Sequence, residues 1–186
     1  MKNSPLLIGI TGGIGSGKSL ISSIFNKLGL PVYDADTRAK WLMAHDPNIK
    51  SQLIELLGSE SYTEQGLNRS FIARKSFNNE KILTRLNAMV HPEVGVDFTR
   101  WVALHDSSPV LLKESALIFE TSSHTELDQV ILVLSPSALR IKRVLARDLH
   151  RDKKDIEAII SSQLPAAETS LMAHFIIKND ERNLLI

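Results

Sequence analysis

The 186-residue sequence has no cysteine. Disulfides, thiolate metal sites and a cysteine nucleophile are therefore excluded. Charge of one sign is not in excess either: 22 Lys and Arg stand against 21 Asp and Glu, a formal net charge of +1. No general field draws the chain to nucleic acid or an anionic membrane, so anion binding has to be local. Long apolar runs are missing. The first one follows Met1-Lys2-Asn3-Ser4-Pro5 and is soon broken by glycines, too short for a secretory signal or a membrane span. The expectation is a cytoplasmic protein with no membrane, nucleic-acid or obligate protein partner. Internal repeats, low-complexity tracts and long linkers are absent too. His45, His105, His124, His150 and His174 show no metal-ligand spacing. What remains is a chain 43% hydrophobic, ample for the core of one domain with room for an inserted subdomain.

What is present is concentrated near the start. Gly12-Gly13-Ile14-Gly15-Ser16-Gly17-Lys18-Ser19 fits G-x-x-x-x-G-K-[ST] at every fixed position. Leu6 to Thr11 before it reads as a short buried strand. Leu20, Ile21, Ile24, Phe25 and Leu28 after it recur at helical spacing. Strand, glycine-rich turn and helix in that order make the context of a phosphate-binding loop. Backbone N–H groups of residues 13–19 wrap an anion, and the helix start adds a partial positive charge. Lys18 reaches the β- and γ-phosphates, and Ser19 ligates Mg²⁺. The bland alternative is a turn that only joins a strand to a helix.

Further along, Leu30 to Asp34 reads as a second strand with Asp34-Ala35-Asp36 at its carboxyl end. Helices are expected from Thr37 to about Ala44, from Asp46-Pro47 to Gly58, and from Arg69 to Phe77. Asn78 is the expected cap of the next helix, with His91-Pro92 interrupting it or opening its second half. Val110–Glu114 and Gln129–Leu134 are near-continuous apolar runs, as in parallel strands buried on both faces. A basic helix opens at Ser135-Pro136-Ser137, a charged turn over 148–155 leads to a helix ending near Gln163, and Phe175–Lys178 is the last expected strand. Strands alternating with helices give an α/β fold with a parallel sheet. The helical block of residues 37–108 is the expected substrate-binding insertion.

The loop alone implies a nucleoside triphosphate with Mg²⁺, without naming the reaction. A GTPase would carry an Asn-Lys-x-Asp base-reading motif after a strand. Here Asn26-Lys27 lies inside a helix and lacks the Asp. An Asp-x-x-Gly switch after a strand and an ABC-type signature are missing too, which leaves a small-molecule kinase as the better match. One carboxylate of the pair Asp34 and Asp36 accepts the proton of an attacking hydroxyl or organises Mg²⁺ in one reading; in the other, either Asp caps the following helix, a place that Asp36 also suits. Arg140, Arg143 and Arg147 recur at i, i+3 and i+7 on one helix face. They form either a lid that meets phosphates or a solvated face. His91 either touches a substrate phosphate or sits beside a kink. Trp41, Trp101, Phe98 and Phe119 are expected in the core.

Taken together the chain resembles dephospho-CoA kinase over nearly its whole length. The resemblance is carried by Ile8 to Ser19, Val32-Tyr33-Asp34-Ala35-Asp36, Gly66-Leu67-Asn68-Arg69 and Leu86 to Pro92. It continues in Leu117-Ile118-Phe119-Glu120, Lys142 to Asp148, Gln163 and Ile177-Lys178-Asn179. It implies transfer of the ATP γ-phosphate to the ribose 3′-hydroxyl of dephospho-CoA, the final step of CoA biosynthesis. It also implies the fold of nucleoside monophosphate kinases: a phosphate-loop core on a central parallel sheet, a helical CoA-binding subdomain (37–108) and a helical lid (138–163). By matching positions, Asp36, Lys18 and Arg147 are the catalytic candidates. Thr11, Gly13, Ile14, Gly15, Ser16, Gly17, Lys18, Ser19, Leu20 and Arg143 are nucleotide-binding candidates, Ser19 the Mg²⁺ ligand. Asp36, Arg69, His91 and Pro92 are acceptor-binding candidates. There are departures. Leu20 stands where the family usually has Thr, Ala116 where it often has Pro, and the family's C-terminal helix is expected to be shortened or absent. Another small-molecule or nucleotide kinase on the same scaffold, or a nucleotide-dependent regulatory protein without turnover, remains as an alternative.

Overall fold

The computed structural model describes residues 4–76 and 79–182. In chain order the elements are β1 (Leu6–Thr11), α1 (Lys18–Lys27), β2 (Val32–Asp34), α2 (Ala35–His45), α3 (Pro47–Leu57), β3 (Tyr62–Thr63), β4 (Gly66–Leu67), α4 (Arg69–Ser76) and α5 (Glu80–Leu104). There follow β5 (Val110–Glu114), β6 (Gln129–Leu134), α6 (Ser137–Arg147), α7 (Lys153–Ser162), α8 (Ala166–Met172) and β7 (Phe175–Lys178). The chain divides into two compact units, Met1–Asp34 with Leu104–Ile186, and Ala35–Ala103.

The first unit carries a five-stranded sheet in the order β2-β5-β1-β6-β7, every pair parallel. β1 is central because its residues are apolar on both faces. Ile10 is fully buried, and Ile21 of α1, Leu112 of β5 and Val133 of β6 close around it. A second cluster joins Ile118, Phe119 and Val130 to Leu127, Leu164 and Ala173. Parallel pairing gathers the carboxyl ends of the strands on one edge, where ligands of open α/β sheets bind. Among the described residues no helix is long and apolar enough to cross a membrane.

The second unit is helical, with β3 and β4 forming a small antiparallel hairpin. Asp46 caps α3 as its sequence promises. Its carboxylate accepts the N–H groups of Asn48 and Ile49, each at 2.9 Å, with Pro47 at the first helical position. Leu42, Ile49 and Val90 form one core cluster, and Leu53, Phe71 and Ile72 another. The Tyr62 hydroxyl donates to the Met43 carbonyl at 2.5 Å. Burial, and secondarily the charge of Asp46, push this phenol above its ordinary range. Leu53 is fully buried, so Leu53→Ala should lower stability by about 2–5 kcal/mol, read as the shift of a urea unfolding curve.

Four local expectations change. Asn78 lies outside the described residues, and the cap is Asn79, whose Oδ1 accepts the Ile82 N–H at 3.2 Å. His91-Pro92 does not interrupt α5, which runs unbroken past Pro92. A proline removes only its own N–H, and the turns on either side hold the helix together. Trp41 is not in the core. It is 46% exposed, with the Arg38 guanidinium 4.5 Å from its ring centre and His45 stacked at 4.6 Å. Helix α8 has no counterpart in the sequence reading, because Ala-Ala-Glu-Thr-Ser lacks an apolar period.

Candidate active site

Between β1 and α1 the backbone passes through three glycines at positive φ: Gly12 (151°), Gly15 (74°) and Gly17 (96°). At Gly12 a side chain is also shut out by space, since a Cβ there would fall on the Val133 carbonyl. Gly17 immediately precedes α1, so the loop ends on the positive end of a ten-residue helix. Lys18 folds back, and its Nζ donates to the Gly12 carbonyl at 2.8 Å. Thr11 and Ser16 are almost wholly buried beneath the loop. Leu20, in the first helical turn, is exposed.

Strand register brings a carboxylate to this place that the sequence reading missed. Glu114 ends β5, beside Ile10 of β1 on one flank and Asp34 of β2 on the other. Ser19 donates its hydroxyl to Glu114 Oε1 at 2.9 Å. Two hard oxygen donors side by side suit Mg²⁺, which takes one or two protein ligands and fills its octahedron with phosphate oxygens and water. Among the described residues no group of three or more His, Asp or Glu could hold a metal by itself.

The basic helix is not simply a solvated face. Arg140 Nε donates to the Ile14 carbonyl at 2.8 Å, and its Nη2 to Gln163 Oε1 at 2.9 Å. Gln163 Oε1 also accepts the Ile14 N–H at 3.0 Å. Burial lowers the Arg140 guanidinium from its ordinary range. Arg143 donates to Ser135 Oγ at 3.1 Å, to the Asn179 side chain at 3.1 Å and to Glu181 at 3.2 Å. Arg147 turns outward, 64% exposed, and donates to both oxygens of Asp148 at 2.8 and 3.0 Å. That hydrogen bond raises the guanidinium and holds the Asp148 carboxyl below its usual range, with the charges of Arg147, Arg151 and His150 acting the same way and burial opposing. Beside the loop lies a cavity of about 290 Å³, lined among others by Thr11, Gly13, Ser16, Phe119, Gln163 and Thr169.

The other candidates lie in the helical unit. Asp36 is the second residue of α2, half-buried, so it stands inside the first turn and not before it. Arg69 opens α4 and is exposed, while His91 is half-buried and Pro92 exposed midway along α5.

The family model for dephospho-CoA kinase matches residues 6–184. The chain belongs to the dephospho-CoA kinase family. Its activity is that of an ATP-using phosphotransferase, at the final step of CoA biosynthesis. The Bacteroides fragilis dephospho-CoA kinase is 35% identical over 179 residues, 96% of this chain and 87% of that protein. The Porphyromonas gingivalis dephospho-CoA kinase is 43% identical over 143 residues, 77% of this chain and 70% of that one. Among solved structures, a Thermus thermophilus protein superimposes with a TM-score of 0.83 at 31% identity, covering 95% of this chain and 90% of its own. The Campylobacter jejuni dephospho-CoA kinase gives 0.67 at 25%, with 94% and 88% covered. The P-loop kinase fold expected from the resemblance is therefore the fold found. Of the side chains around the loop, Glu114 was not singled out from the sequence; Arg140 was named on its helix face, and Gln163 and Asn179 within the resemblance, none of the three with a place against the loop backbone. Glu114, a carboxylate closing a buried strand, and Asn179, directly after one, each carried a signal in their position.

Proposed function

We propose that this kinase moves the ATP γ-phosphoryl group to the ribose 3′-hydroxyl of dephospho-CoA through a division of labour between its own side chains, with the cytoplasm as its compartment. The observation that carries the reading is that Ser19, next to Lys18 at the start of α1, donates to Glu114 at the end of β5. Backbone amides within residues 13–19 hold the phosphates, those of Ile14 and Ser16 excepted because they donate to Gln163 and to the Gly13 carbonyl, with Thr11 and Leu20 at the ends of the loop and Arg143 on the nucleotide side. Lys18 follows the phosphoryl group through the transition state. Arg147 exchanges its Asp148 partner for phosphate oxygens, which have matching fork geometry. Ser19, with Glu114 beside it, holds Mg²⁺, which when bound neutralises charge on the phosphate oxygens. Asp36 accepts the proton of the attacking hydroxyl. Arg69, His91 and Pro92 bind the acceptor on the helical unit, and the segment 138–163 serves as the lid that keeps water from the phosphoryl group.

The test is ADP release measured with dephospho-CoA against AMP, dTMP, adenosine and shikimate as acceptors. The expected outcome is turnover with dephospho-CoA and little above background with the other four. Preference for any of those four would overturn the acceptor assignment.

A further inference from the structure

A trans peptide is planar, so the carbonyl of one residue and the N–H of the next point in opposite directions. No peptide bond among the described residues is cis. Fixing a loop carbonyl on one side therefore aims the following N–H to the other. Two carbonyls of the phosphate loop are fixed in this way by groups more than a hundred residues distant. The Ile14 carbonyl accepts from Arg140 Nε at 2.8 Å. The Ser16 carbonyl accepts from Asn179 Nδ2 at 2.9 Å, a buried bond, with Arg143 Nη1 a weaker second donor at 3.5 Å. The N–H groups aimed by these anchors belong to Gly15 and Gly17.

We infer that Arg140 and Asn179 are positioning residues that turn the Gly15 and Gly17 amides toward the bound phosphates before nucleotide arrives. The loop glycines support this from the other side. A Cβ at Gly13 would fall on the Arg140 guanidinium, and one at Gly17 on the Asn179 amide nitrogen. Glycine at these two positions thus leaves room for the anchors, whatever it also does for the ligand. Gln163 completes the first anchor, holding the Arg140 guanidinium with the same oxygen that accepts the Ile14 N–H. Asn179 is itself held, its N–H donating to the Leu134 carbonyl at 2.8 Å and its side-chain oxygen accepting from Arg143 at 3.1 Å. An anion-binding nest needs successive N–H groups converging on one point. Here convergence is imposed from outside the loop, so less ordering remains to be done on binding, which favours affinity.

The inference rests on residues 13–19 being the phosphate site, and the experiment separates the two. Asn179→Asp keeps shape and replaces the donor by an oxygen that repels the Ser16 carbonyl. Arg140→Lys keeps charge and removes the fixed fork. ADP affinity is read by calorimetry on the full chain, with KM for ATP and for dephospho-CoA and the melting temperature of the nucleotide-free protein. Each variant should weaken ADP binding about tenfold or more and raise KM for ATP, while KM for dephospho-CoA and the melting temperature stay near the parent's. Asn179→Ser, which retains a donor, should recover part of the loss. Lys18→Met serves as the control for the site. If Lys18→Met weakens ADP binding and neither Asn179→Asp nor Arg140→Lys does, the anchors have no positioning role. If Lys18→Met also leaves ADP binding untouched, the phosphate site itself is misassigned. If Asn179→Asp lowers the melting temperature sharply, Arg140→Lys decides alone. KM values for both substrates rising together there would mark a merely structural contact.

Discussion

Asp36→Asn should lower kcat by about 10²–10⁴-fold, the range of one general acid–base group, and leave ATP affinity nearly unchanged. Asparagine keeps the volume and the hydrogen-bonding reach of the side chain, and loses only the capacity to take up a proton. Asp36 follows β2 by two residues and is the second residue of α2, so the carboxylate is carried on a rigid helical turn. A base on a helix start is held in place by the backbone around it. The rival role is local. A carboxylate in a first turn favours the helix through the macrodipole by about 0.3–1 kcal/mol. That role predicts a small fall in melting temperature and an unchanged kcat. Steady-state kinetics and thermal unfolding of one variant separate the two, and full turnover in Asp36→Asn would remove the base from the mechanism.

The second large effect is expected at Lys18. Lys18→Met should reduce kcat/KM for ATP by about 10²–10³-fold, the loss typical of one electrostatic stabiliser of a transition state. The ammonium donates to the Gly12 carbonyl at 2.8 Å, at the head of the loop. Methionine fills the same space without charge, so stability should change little. Separate measurement of kcat and of KM then tells what the charge does. A rise in KM alone would mean that Lys18 binds nucleotide equally in ground and transition states. A fall in kcat would place it on the moving phosphoryl group.

Sequence alone made the core of this fold legible where one property decides the outcome. Strands buried on both faces must be continuously apolar, and Val110–Glu114 and Gln129–Leu134 have the bounds read from that property; Phe175–Lys178, the largely exposed edge strand, has its expected bounds too. The phosphate loop was legible because its glycines and Lys-Ser pair answer to one ligand geometry. Local cap chemistry was legible at Asp46 and off by one at Asn79, since neighbouring asparagines carry the same signal. Helix α8 was missed because its start is marked only by Pro165 and its apolar residues come last. The anchors of the loop were hidden for a different reason. Arg140 lies 126 positions from the carbonyl it holds, and Asn179 lies 163 positions from its own. Only the strand order brings those ends together, and periodicity along one helix cannot tell an arginine that braces a backbone from one that faces water. Arg147 presented the same pattern and turned outward onto Asp148.

The distance between Ser16 and Asn179 also has a meaning in time. β1 leaves the ribosome well before its neighbours β5 and β6, which come about a hundred residues later. The residue that fixes the Ser16 carbonyl is made 163 residues after it. At ordinary rates of synthesis the nascent glycine-rich segment waits on the order of ten seconds for the partners that shape it. A ribosome-bound chain truncated before Asn179 should therefore hold nucleotide poorly even with its loop sequence complete, because the loop is written long before the residue that shapes it.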